Sequence, residues 1–190
     1  MKRKILLFSI LTICVATLAA GSLAYFTAED TAHNVITSGG IDIDLLEWAN
    51  EEKTEEFPSE GVTGVMPGAE ITKIVEVKNT GSNEAWIRVK AVKDIHLAQG
   101  VEGDVDLGLM VLDFDTEKWT EKDGYYYYKE PLASGETTTP LFASVTFDVK
   151  MDNRYQGSTA TVDVVAQAVQ TTNNGDTVMD AKGWPKDNQE

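Results

Sequence analysis

Two histidines, His33 and His96, and three alternating acid pairs, Asp42/Asp44, Asp104/Asp106 and Asp113/Asp115, are the residues best suited by type and spacing to do chemistry. Alternate residues of a strand share a face, so each pair can offer two carboxylates to Ca²⁺. A histidine added to carboxylates would suit Zn²⁺. The surrounding pattern speaks against both. The loop spacing of an EF-hand and the H-E-x-x-H zinc helix are missing, and the histidines lie far apart. A G-x-S-x-G elbow, a P-loop and a dinucleotide fingerprint after a strand are also missing. The chain carries 31 acidic side chains, so finding two near each other is no sign of a glycosidase. The acid pairs are therefore read as solvated sheet faces, with Ca²⁺ or Zn²⁺ binding as the alternative. No residue is assigned as catalytic, cofactor-binding or metal-ligating.

Two further groups invite a binding role. Arg88, Lys90 and Lys93 form a basic row beside Trp86, which suits an acidic partner surface or is simply an exposed face. Trp48, Trp86, Trp119 and Trp184 could build a sugar platform, although Trp86 and Trp119 fall in strand-like patterns where packing is commoner.

The elements that must position these residues are β-rich. Residues 41–45 alternate apolar and acidic side chains, as a half-buried strand does. Residues 71–78 set Val75 and Val77 against Glu76 and Lys78. Residues 86–92 set Ile87, Val89 and Ala91 against Arg88 and Lys90. Asn79-Thr80-Gly81-Ser82-Asn83 between them is a turn. Residues 96–108 read as a loop or short helical turn, and 109–114 and Trp119 as strand material. Lys122-Asp123-Gly124 is a hairpin turn leading into four consecutive tyrosines, read as a half-buried edge. Residues 141–151 predict a core face of Leu141, Ala143, Val145, Phe147, Val149 and Met151. Residues 159–170 predict one of Ala160, Val162, Val164, Ala166 and Ala168. Short strands, turns and no long helix give an all-β, jelly-roll-like antiparallel sandwich over 41–170. A polar tail, 171–190, follows and is expected to be loose, with Trp184-Pro185 the part able to dock.

The N-terminus reads as a signal peptide, 1–24. Lys2, Arg3 and Lys4 precede an apolar run, shorter than the about 20 residues of a membrane span. Ser22 at −3 and Ala24 at −1 make a cut before Tyr25. The membrane is then met only through the uncleaved segment. Cys14, the single cysteine, lies in that run, so the mature chain has neither disulfides nor a thiol nucleophile. Removing three of the 16 basic residues leaves 13 against 31 acids, a net charge of −18. Such a surface repels nucleic acid and anionic membranes and favours solubility.

Three stretches in order resemble the TasA/camelysin (CalY) family of secreted Gram-positive proteins and the clostridial SipW-dependent biofilm matrix proteins. They are GSLAYFTAEDTAHNVITSGGIDIDL, MPGAEITKIVEVKNTGSNEAWIRVKA and NRYQGSTATVDVVAQAVQTTNN. The resemblance implies a jelly-roll sandwich, secretion to the extracellular matrix or cell surface, and trimming by a SipW-like signal peptidase. It also implies head-to-tail self-assembly into matrix fibres, with an accessory matrix or anchoring protein as a further partner. The segment corresponding to the family's linking strand is 25–40, where Tyr25, Phe26, Val35 and Ile36 would anchor it. The camelysin name also carries a metallo-endopeptidase activity. That activity and a monomeric surface adhesin are the alternatives to a structural, non-enzymatic role.

Overall fold

A computed structural model describes residues 27–29, 34–37, 41–58 and 66–186, with side chains from Ile41 onward. Residues 1–24, expected to be a signal peptide, lie outside the described residues with Tyr25, Phe26 and His33, as do the side chains of Val35 and Ile36.

Among the described residues ten strands build two packed sheets. They are β1 (Thr27–Glu29), β2 (Asn34–Thr37), β3 (Ile43–Trp48), β4 (Glu70–Asn79), β5 (Ala85–His96), β6 (Met110–Leu112), β7 (Trp119–Lys122), β8 (Tyr125–Tyr128), β9 (Phe142–Phe147) and β10 (Thr159–Gln170). One sheet runs β1-β10-β5-β8-β7, with β2 also on β10; the other runs β3-β4-β9-β6. Within the body of the sandwich every pairing is antiparallel, whereas β1 and β2 join β10 in parallel. The protein is thus an all-β sandwich, as its alternating patterns predict.

Alternation explains the core. Val75, Val77, Ile87, Val89, Val145, Phe147 and the five expected β10 residues from Ala160 to Ala168 all face inward and are buried. The same logic fails at three places. First, β9 ends at Phe147, and Asp148 then accepts a bond from the Lys150 N–H and one from Met151. That turn swings Val149 out to 75% exposure, while Phe142, expected on the polar face, is buried edge-on against Phe114 at 5.7 Å. Second, the tyrosine strand β8 is not an edge: β5 and β7 flank it. Third, Glu76 faces away from the core yet is buried, because the loop after β3 brings Lys53 to it at 2.5 Å.

The β7–β8 hairpin turns at Asp123 and Gly124, both with positive φ (54° and 78°). That is the primed two-residue turn whose twist matches paired strands. On β8, Tyr126 stacks on Phe114 with ring centres 4.1 Å apart. Burial first, and the Glu121 carboxylate second, push its hydroxyl above the ordinary tyrosine range. The folded state then holds that proton more tightly than the unfolded one. Its contribution to stability is present below the unfolded pKa of about 10 and is lost as pH rises through the folded value. Tyr126→Phe should therefore flatten the alkaline fall of Tm. An unchanged slope of Tm against pH above about 10 would show the shift to be without consequence.

Candidate functional site

Three of the six paired acids, Asp106, Asp113 and Asp115, serve the backbone. Asp106 accepts from Gly108 N–H and caps the 3₁₀ turn Leu107–Leu109. Asp113 takes the N–H groups of Ala143 and Ser144 at 2.9 and 2.7 Å, tying the end of β6 to β9. Asp115 accepts from Glu117 and Lys118. Asp42 and Asp44 are both exposed, and His96 ends β5 beside Asp94 at 3.2 Å. Among the described residues no group of three His, Cys, Asp or Glu side chains is arranged to hold a metal. Two cavities measure ≈ 10 and ≈ 110 Å³, well under the roughly 300 Å³ of a small-molecule cleft.

What the fold concentrates instead lies around β10. Its register with β1 sets Thr27, Ala28 and Glu29 beside Thr159, Ala160 and Thr161. Its register with β2 sets Asn34, Val35, Ile36 and Thr37 beside Val165, Ala166, Gln167 and Ala168. The offset changes by one residue between the two stretches. The segment singled out as a linking strand thus completes the sheet at the β10 edge of its own chain. Without it, β10 would present a twelve-residue edge of unpaired N–H and C=O groups.

The outer face of the same sheet carries the second feature. Antiparallel register puts Trp86 opposite Val169 and Arg88 opposite Gln167, and β8 sets Tyr127 beside Arg88. Alternation sends all of these side chains outward. They are nonetheless covered, because the chain turns after β10 and lies back across them. Trp86 Nε1 donates to the Asn174 carbonyl, and Asn174 in turn exchanges bonds with Lys182 through its side-chain amide. Val178 is buried with Trp86, Tyr125, Tyr127 and Val169, and Trp184 packs on that group.

Arg88 joins the parts. Its Nε and Nη2 donate to Gln167 Oε1 at 2.8 and 2.6 Å, its Nη1 to the Tyr127 hydroxyl, and its Nη2 also to the Pro185 carbonyl at 3.3 Å. The guanidinium lies 3.9 Å from the Tyr125 ring centre and 4.6 Å from that of Trp184. A planar cation between aromatic faces, with its N–H groups satisfied at the rim, suits arginine and not lysine.

Three sequence expectations are corrected here. The basic row is not one row: Arg88 and Lys90 face outward, whereas Lys93 faces inward and donates to the Leu107 and Met110 carbonyls at 2.9 and 2.6 Å. The odd spacing from 90 to 93 already implied opposite faces. The tail is not loose through residue 186 but is a docked strap, with Trp184-Pro185 making the contact that was expected of it. Nor do the tryptophans form one platform. Trp119 is in the core with its Nε1 on the Thr139 carbonyl, and Trp86 lies under the strap.

Compared with protein families, with curated proteins and with solved structures, the chain matches none.

Proposed function

We propose that this protein is a secreted structural subunit. Released by a SipW-like signal peptidase before Tyr25, it assembles head to tail into extracellular matrix fibres through its N-terminal segment. The observation that carries this reading is the parallel pairing of β1 and β2 with β10. Those strands belong to a short N-terminal stretch laid along one edge, not to a hairpin within the sandwich. The same backbone bonds can be made by the segment of a second copy. Exchange of that kind runs one way along a chain of subunits and does not close, so it yields filaments. The use of Asp106, Asp113 and Asp115 as acceptors for backbone N–H groups favours a structural over a catalytic role for those carboxylates. A jelly-roll winding, and anchoring by an accessory protein, go with this reading.

The test compares residues 25–190 with residues 40–190 by electron microscopy and in a casein-cleavage assay with and without chelator. Fibres from the longer chain alone are expected, with casein left intact. Chelator-sensitive cleavage by pure protein that forms no fibres would replace this reading with the peptidase. Fibre growth should also quicken between pH 7 and 5, because protonating a fraction of the excess carboxylates weakens repulsion between subunits at −18 each. Growth that is unchanged or slower at pH 5 would contradict it.

A further inference from the structure

We propose that the C-terminal strap, residues 171–186, is a latch on β10 that governs how readily the N-terminal segment leaves that strand. This rests on the fibre reading above and adds its regulation. β10 is the strand on which both ends of the domain converge. β2 lies along its edge at Val165–Ala168, and the strap leaves from its last residue, Gln170.

Gln167 is where the two meet. Its backbone stands between Ile36 of β2 and Arg88 of β5. Its side chain, 0% exposed, receives two of the Arg88 bonds. The same guanidinium is pinned from above by the Trp184 ring and the Pro185 carbonyl, both from the strap. A docked strap thus holds Arg88, Arg88 holds Gln167, and Gln167 sits in the middle of the four-residue stretch that β2 pairs with. Lifting the strap frees one face of the guanidinium and opens Trp86, Val169 and Gln167 to water. The β10 backbone then loses its fixed support at the residues β2 must leave.

The strap is suited to open first. Asn173 and Gly175 turn it back with φ of 56° and 83°, and only Val178 of its side chains is fully buried. Such a segment belongs to the least stable part of a fold and opens locally before the sandwich does.

The experiment uses monomeric 25–190 at a concentration below fibre formation, so it does not depend on fibres forming. Amide hydrogen exchange is followed at 165–168, together with uptake of a fluorescent peptide of residues 25–39. Trp184→Ala should speed exchange at 165–168 and peptide uptake by about tenfold, and Trp184→Phe, which keeps a ring over Arg88, by much less. If 171–186 exchange faster while 165–168 keep their protection, the strap is a local cover and the latch is wrong. Should Trp184→Ala fail to fold, Arg88→Lys replaces it: the charge stays, the forked grip on Gln167 goes, and the same two outcomes decide. Faster amide exchange without peptide uptake would support the latch while counting against strand exchange between copies, so the two ideas fail separately.

Discussion

Lys73→Met is expected to destabilise the protein by about 3–5 kcal/mol, because it removes the cation paired with a buried carboxylate. Lys73 and Glu47 are each only 3% exposed, and Lys73 Nζ lies 3.1 Å from Glu47 Oε2. The ammonium also sits 4.0 Å from the Phe57 ring centre, at the edge of a gap lined by Ile71, Met110, Val145 and Phe147. A bulge explains how a lysine comes to lie there. The β4–β9 pairing runs from Thr72 opposite Ser144 to Val75 opposite Phe142, so β4 has one residue too many, and Lys73 falls within that irregularity. Removing either partner alone leaves the other charge in a poor solvent. Replacing both with apolar groups of similar volume removes the problem, so Lys73→Met with Glu47→Leu should recover most of the loss. Urea unfolding of the two single variants and the double variant gives the coupling directly. Additive losses, with the double variant the least stable of the three, would mean that the pair contributes nothing as a pair.

The second large effect is expected at Asn79, where the chain leaves one sheet for the other. Asn79→Ala should cost about 2–4 kcal/mol, since it deletes three side-chain hydrogen bonds at a fully buried position. Asn79 is 0% exposed. Its Nδ2 donates to the Asn83 and Leu132 carbonyls at 2.8 and 2.9 Å, and its Oδ1 accepts from Gly81 N–H at 3.0 Å. Its backbone is bonded to Glu136 and Gly135 as well. One side chain thus ties the end of β4, the turn into β5 and the 132–136 loop together. Asn79→Asp is of equal size but turns the donor into an acceptor facing two carbonyls, so it should cost more than alanine. Chemical denaturation of the two variants tests the order; aspartate at or above alanine in stability would refute this account. The turn is equally strict at Gly81, where a Cβ would come 2.8 Å from the Asp42 backbone nitrogen.

Much of this architecture could be read from residue order because it depends on local rules. The β10 stretch was legible to its ends, since every second residue from Ala160 to Ala168 is apolar between a glycine turn and a polar run. The 123–124 hairpin was legible because few residues accept positive φ. The Asn79 turn was legible as a turn, but the burial of Asn79 was not. Val149 was misplaced because alternation carries no mark of where pairing stops, and only the partner strand ends at a definite residue. Asp42 and Asp44 were legible as an exposed face, whereas the hold of Asp113 on the Ala143 and Ser144 N–H groups depended on β6 being paired with β9.

Sequence by itself determined an all-β chain of alternating strands, an acidic composition with a single cysteine, and a short N-terminal stretch set apart by its position. These follow from the type of each residue and its nearest neighbours, which a linear reading sees in full. Only the tertiary structure decided that β10 receives the N-terminal segment on its edge and the C-terminal strap near its end. It likewise paired Arg88 with Gln167 and Lys73 with Glu47, partners 79 and 26 positions apart. Those contacts depend on strand order and register, which arise from the whole chain burying its apolar faces at once.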